Sequence, residues 1–246
     1  MIENAQLISL SRQIALQRQM DVVANNMANI NTTGFKAENI LFEEYVMPVA
    51  RDQDFKTPDQ PLSYVQDWAT IHDLTGGAIV QTGSDLDVAL NGDGFFAVQT
   101  PAGERYTKSG AFQLNAGGTL VDLNGNPVLG QGGPITFGPA ETGIRIGTDG
   151  SISSSAGAKG SLRLVEFANP QALTREGNNL FAGGTPVNAT NTRAMQGFIE
   201  KSNVSGVSEV TELIRVTRAY ESMASMTQRQ DELRRSAIQR LGDSNA

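Results

Sequence analysis

The sequence predicts an α+β protein, with a central antiparallel β domain inserted between N- and C-terminal long helices that form a coiled-coil-like layer. Two observations carry this. The chain ends repeat apolar residues at heptad-like spacing, and the middle is rich in glycine and in short β-prone runs. Leu16, Met20, Val23, Met27 and Ile30 step by four, three, four and three, and Leu213, Val216, Tyr220 and Met223 by three, four and three. So narrow a stripe suits a partner helix better than it suits a globular core.

Residues 4–30 read as one amphipathic helix, about 40 Å long at 1.5 Å per residue. Its apolar stripe changes phase: Leu7, Leu10 and Ile14 share one line, and the line from Leu16 onward lags it by two residues. A helix that bends, or that touches two neighbours, behaves this way. The helix is expected to stop near NTTGFK, where Asn31, Thr32 and Thr33 are poor helix formers and Gly34 suits a left-handed cap. Pro48, Pro58 and Pro61 then make residues 35–80 an extended, partly irregular connector.

Beyond it, runs such as LDVAL, FFAVQT and SLRLVEF are divided by turn signals at Asn91-Gly92-Asp93-Gly94, Asn115-Ala116-Gly117-Gly118 and Asn124-Gly125-Asn126-Pro127. That recurrence describes antiparallel hairpins in a sandwich or barrel-like domain. The helical period returns over 204–241, roughly 55 Å if unbroken. Ser205 or Ser208 can cap its start, Glu209 or Glu212 sits in the first turn, and Arg234, Arg235 and Arg240 crowd the end, as the helix dipole favours. The expected partition is residues 1–34 with 204–246 as a helical domain, 35–80 as a connector and 81–203 as the β domain.

Composition narrows the function classes. The chain has 246 residues and a net charge of -7, which argues against general nucleic-acid binding, because phosphate contact needs a basic surface. The acidity sits in the middle: residues 45–199 carry 14 acids against 9 bases, and residues 200–246 carry seven of each. There is no cysteine, so disulfides and thiolate metal sites are excluded. No run reaches the roughly 20 apolar residues that cross a bilayer, so direct membrane insertion is not expected. The opening lacks a basic cluster, a long apolar run and a small-residue cleavage site, so export would use a route that reads no cleaved signal.

Catalytic constellations are weak. His72 is the single histidine, and nothing around it in sequence suggests a triad or a metal site. Asn91-Gly92-Asp93-Gly94-Phe95-Phe96 lacks the Lys and Ser/Thr of a phosphate loop and reads as a turn. Asp122, Asn124 and Asn126 begin like a calcium loop but lack its later Gly and Glu. Asp85 and Asp87 offer paired carboxylates without a cleft to place a sugar. No cofactor is implied, and a non-enzymatic role is expected. The rival reading is a secreted β-domain enzyme or carbohydrate-binding module with helical appendages, which would keep its fold and activity when both ends are trimmed.

Three blocks in fixed order resemble the flagellar axial protein family of rod, hook and hook-associated subunits. They are VVANNMANINTTGFK (22–36), TGSDLDVALNGDGFFAVQTPAGERYTKSGAFQLNAGGTLVDLNGNPVLG (82–130) and GFIEKSNVSGVSEVTELIRVTRAYES (197–222). Residues 45–80 are the least typical part, and the length fits a rod subunit better than the longer hook proteins. The resemblance implies a structural subunit of the basal-body rod in the periplasmic space, exported through the flagellar type III apparatus without cleavage. Its partners would be other rod proteins and itself, in a helical tube whose inner layer is made of the terminal helices.

On that basis Leu16, Met20, Val23, Met27, Ile30, Leu213, Val216, Tyr220 and Met223 are expected at subunit interfaces. Asn25, Asn26 and Asn29 would add a polar lattice of side-chain hydrogen bonds between subunits, although asparagines also end helices by competing with the backbone. Phe42 and Val46 fit the Phe-x-x-x-apolar pattern that early flagellar export substrates present to the export gate. Arg215, Arg218 and Glu221 read equally as a solvated face or as intersubunit ion pairs. In dilute monomer the two helical ends are expected to be largely disordered, because such short seams do not offset ordering entropy.

Overall fold

The computed structural model describes residues 2–46 and 63–243, with side chains described over 8–42 and 69–240. It has an N-terminal helix, a central antiparallel β region and a C-terminal helix. α1 spans Ile2–Ala28 and α2 spans Gly206–Asp243. Contacts group the chain into two compact units: 1–27, 38–71 and 205–246 form the first, and 28–37 with 72–204 form the second. The expected 35–80 connector is thus divided between them. It also contains regular structure: β1 (Glu38–Val46) and β2 (Ser63–His72) pair into a two-stranded sheet. The prolines that suggested irregularity, Pro48, Pro58 and Pro61, all fall between these strands, in residues 47–62 outside the described ones.

In the second unit β3 is Ile79–Gln81, β4 Val88–Asn91, β5 Phe95–Thr100 and β6 Gly103–Thr107. β5 and β6 form a hairpin in register from Phe96 opposite Thr107 to Thr100 opposite Gly103. They are the centre of a six-stranded antiparallel sheet. Leu180–Ala182 and Thr174–Glu176 extend it beyond β6, and Leu164–Glu166 and Val187–Asn188 extend it beyond β5. Side chains alternate across a strand, so Phe96 and Val98 enter one apolar cluster and Phe95 and Ala97 the other. Both faces of the sheet are therefore covered at its centre, which is why Phe-Phe-Ala-Val is a continuous apolar run. Smaller antiparallel pairs surround it, among them β4 with Arg193–Gln196 and β3 with Phe198–Glu200.

The first unit contains α2, β1, all of α1 but Ala28 and all of β2 but His72. The Ser205 carbonyl accepts the Glu209 N–H at 3.0 Å, which places Ser205 at the N-cap position expected for it. α1 ends at Ala28, followed by a turn in which Thr32 N–H donates to the Asn29 carbonyl at 3.1 Å. Gly34 therefore does not cap the helix. Its backbone is left-handed as expected (φ +64°), but for another reason. A Cβ there would lie 2.4 Å from the main chain of Lys108 and Ser109. Glycine is required by a close backbone approach in the β unit. Among the described residues no helix is long and apolar enough to cross a membrane.

Candidate subunit interface

The helices present three kinds of surface. The first is the seam predicted from heptad spacing, and it faces inward. Val23 and Val216 are buried, at 5% and 1% exposure, while Leu16, Met20, Met27, Leu213, Tyr220 and Met223 are partly buried. Polar contacts lace the same seam. The Gln13 amide donates to the Tyr220 hydroxyl at 3.1 Å, and the Gln19 amide donates to Glu212 at 2.6 Å. The Thr217 hydroxyl lies 3.9 Å from the Met20 sulfur. As residue numbers rise along α1 they fall along α2, so the pair is antiparallel.

The second surface is polar. Asn26 is 2% exposed, donating to the Glu38 carbonyl at 2.9 Å and accepting the Glu38 N–H at 3.0 Å. It also reaches Glu209 at 3.4 Å, and burial pushes the Glu209 carboxyl above its ordinary range. Asn26 is thus engaged inside its own chain, fixing the head of α1 to β1 and α2. Asn29 ends the helix, accepting from the Thr32 hydroxyl at 3.0 Å, and Ile30 packs beside Phe35, Ala37 and Val204 in the β unit. Asn25 is exposed. Of the expected lattice, Asn26 makes a contact within the subunit that the sequence pattern alone does not separate from one between subunits.

The third surface faces outward. Leu10 and Ile14 are 53% and 55% exposed, the leading line of the phase shift. On α2 Val207, Val210, Ile214, Met226, Leu233 and Ile238 are exposed as well. The phase shift is therefore a division of labour between an inward line from Leu16 and an outward line ending at Ile14. Leu7 lies outside the described side chains. Arg215 pairs with Glu212 on its own helix (Nε to Oε2 2.8 Å), and Arg218 and Glu221 are exposed. Phe42 on β1 is 37% exposed, and the side chain of Val46 lies outside those described.

Within the β unit, the residues just after α1 and just before α2 are clasped side by side. Gly34 N–H donates to the Glu200 carbonyl at 2.7 Å and Ala37 N–H to the Asn203 side chain at 2.8 Å. Lys36, fully buried, reaches Glu200 at 2.5 Å and the Thr75 carbonyl at 2.7 Å. Arg175 donates to the Lys36 carbonyl at 2.9 Å and covers the Phe35 ring at 4.2 Å. Nearby Lys108, also buried, donates to the Gly92 carbonyl at 2.9 Å and sits over Phe95. Burial brings its amine down to about 8 against the pull of Glu200, with Lys36 lowering it further and Asp93 and Glu166 raising it. Sequence reasoning did not find this cluster. Its one signal was lysine and glutamate inside the apolar blocks GFK and FIEK.

The remaining motifs do structural work. The Asp122 carboxylate accepts the N–H groups of Asn124 and Asn126 at 2.8 Å, closing its own turn. Asp87 accepts from Thr82 at 2.6 Å, and Gly94 N–H donates to Thr192 at 2.9 Å. His72 is buried with its ring edge-on to Phe181 at 5.4 Å. Among the described residues no cluster of acidic or histidine side chains is arranged to hold a metal ion.

Comparison with known proteins matches this layout block by block. Residues 7–36 match a model described as flagella basal body rod protein, 89–154 the flagellar hook protein FlgE/F/G D1 domain, and 195–240 the flagellar basal body rod FlgEFG protein C-terminal. The FlgF rod protein of Caulobacter vibrioides is 41% identical, over 99% of this chain and 100% of that one. FlgF of Mesorhizobium japonicum is 35% identical over 98% and 99%. FlgG of Buchnera aphidicola subsp. Schizaphis graminum is 34% identical, over 84% of this chain and 88% of its own. The two FlgF relatives thus match 98–99% of this chain, against 84% for that FlgG. Rod-family sequence at both helical ends and through the β region, matched end to end in FlgF relatives, places this chain in the FlgF family of flagellar basal-body rod proteins, as a structural component of the rod.

Proposed function

We propose that the chain is a proximal rod subunit that polymerises through its terminal helices into a tube, carrying torque from motor to hook and enclosing the export channel. The observation that supports it is the outward apolar line: Leu10, Ile14, Val210, Ile214, Leu233 and Ile238 remain exposed after the helices have paired with each other. An apolar surface of that extent on a pair of helices marks a contact surface. Long helices packed along an axis give each subunit several neighbours, and heterologous contacts that do not close generate a helical assembly. The predicted seam then serves two roles, pairing α1 with α2 at its centre and meeting neighbours at its half-buried flanks. The domain roles follow: 1–34 with 204–246 as inner tube and 81–203 as outer layer.

Partners on this reading are other rod proteins, further copies of the chain, and the flagellar type III export apparatus, to which Phe42 and Val46 would be presented before folding. The site of action is the rod in the periplasmic space. No catalytic step is assigned. The test is deletion of the gene in its motile host with imaging of basal bodies, adding back either the full chain or residues 35–203. Loss of the rod beyond its base, rescued by the full chain alone, is expected. Intact rods in the deletion would turn the reading toward a secreted module.

A further inference from the structure

Lys108 forms part of the wall of a cavity of about 340 Å³ that lies wholly in the β unit. The exposed Gly76, Ile79 and Asp93 form its mouth, and the buried Leu90, Lys108 and Glu200 its floor. Such a space has room for a small organic molecule beside water.

The surroundings do little to hold the charge of Lys108. Among the described residues no carboxylate pairs with it, and Glu200 is committed to Lys36 at 2.5 Å and to the Gly77 N–H at 2.8 Å. The amine donates to the Gly92 carbonyl at 2.9 Å and otherwise meets the Phe95 ring, 4.8 Å from its centre. Burial is the strongest influence on the amine and brings it down to about 8, with Lys36 acting the same way and Glu200, Asp93 and Glu166 opposing. At pH 7 about one such amine in ten is neutral, against about one in three thousand for an ordinary lysine. A desolvated, neutral lysine is the form that attacks a carbonyl carbon. Other described lysines compete poorly. Lys36 and Lys159 are held in ion pairs with Glu200 and Glu141, and Lys201 is exposed.

We propose that Lys108 is a site of covalent modification by small neutral aldehydes, which enter at Gly76 and Ile79 and form an imine with its amine. The nitrogen lone pair attacks the aldehyde carbon, and the carbonyl π electrons pass to oxygen. Both amine protons then leave with that oxygen as water, and a C=N bond replaces C=O. No oxidant, reductant or second reactant is needed. A neutral imine suits a site where burial penalises the ammonium form. Asp93 at the mouth and Glu200 at the floor disfavour aldehydes that carry a carboxylate or phosphate. The site does not depend on how the helices assemble.

The full-length protein is treated at pH 7 with acetaldehyde and cyanoborohydride, which traps the imine as an ethylamine, and peptide mass spectrometry locates the label. Lys108 should be labelled at least about tenfold faster than Lys201. Its neutral fraction gives an advantage of about 300-fold, and the lower basicity of its nitrogen returns part of that. The ratio should narrow between pH 7 and 10, where an ordinary lysine keeps gaining neutral amine and Lys108 has already reached it. Glyoxylate, of similar size but anionic, should favour Lys108 less, and Asp93→Asn should restore part of the preference.

Labelling of Lys108 no faster than Lys201, or seen only in denatured protein, would overturn the site. Fully buried Lys36 is an internal reporter of opening. Its labelling in step with Lys108 would mean that the reagent enters by unfolding, and the cavity would lose its role. A preference of Lys108 for glyoxylate over acetaldehyde would reject the neutral-aldehyde assignment.

Discussion

In the β unit Phe95, Phe96, Ala97 and Val98 are each 1% exposed or less; along both helices, Ala15, Val23 and Val216 are the buried apolar side chains among those described. The β unit closes two apolar clusters over a shared sheet, and the helices close only a thin seam. Buried apolar area is the main favourable term in folding, so the difference concerns self-sufficiency. One region satisfies its own burial, and the other leaves most of its described apolar residues short of full burial. Substitutions in the β unit should therefore change stability in the monomer, whereas those on the outer helix faces should register in assembly.

The largest effect is expected at the buried ion pair. Lys36→Met leaves Glu200 without its cation in a closed site and should cost roughly 3–5 kcal/mol in chemical denaturation of the β unit. Lys36→Met combined with Glu200→Leu should cost less than the single change. A loss below about 1 kcal/mol for Lys36→Met would mean that water reaches the pair and that the clasp is softer than its geometry implies. Gly34→Ala follows, at roughly 3 kcal/mol, because it meets both a left-handed backbone and the Lys108–Ser109 main chain. Its thermal midpoint should fall well below that of the original chain.

Lys108 sharpens the same comparison through pH. Its amine is held at about 8 in the fold against an ordinary 10.5. Between those values the unfolded chain binds the additional proton, so stability should rise with pH across that window, by about 3 kcal/mol at most. Tyr106, raised by burial, opposes the rise only above about pH 10. Lys108→Met should remove the slope and stabilise the unit near neutral pH; a slope that survives would assign it to another group. The smallest effect concerns the seam. Val216→Ala should cost about 1–2 kcal/mol in amide protection of α1 and α2 and leave protection of β5 and β6 unchanged. A matching loss in β5 and β6 would show that the two regions unfold together.

What was legible in the sequence was local. Asn124-Gly125 and Asn91-Gly92 announced turns because the chemistry of a turn resides in its own residues, and the helical stripes announced themselves by period. The phase shift after Ile14 was visible too, although only the structure shows that the two lines face opposite ways. The α+β layout and the rod family followed from these features and from the three blocks. What stayed hidden depends on partners distant in sequence. Gly34 read as a helix cap because the backbone it abuts lies 74 residues on, and Lys36 finds Glu200 across 164 residues. β1 and β2 were obscured because the prolines between them dominated the local pattern. Asn26 was open to two readings, a lattice between subunits or helix termination, because nothing in the sequence says that Glu38 lies beneath it.

The clasp has a consequence for how such chains diversify. Residues 33–37, 73–77 and 200–204 lie together in the β unit, so three segments of the polypeptide meet at one small doorway fastened by Lys36 and Glu200. Everything between residues 77 and 200 is, in effect, a cargo module hung on that bracket. Hairpins can be lengthened or exchanged there without altering the spacing of the three segments of chain at the doorway. A fluorescent or affinity domain grafted at the exposed Leu123 tip would use the same latitude.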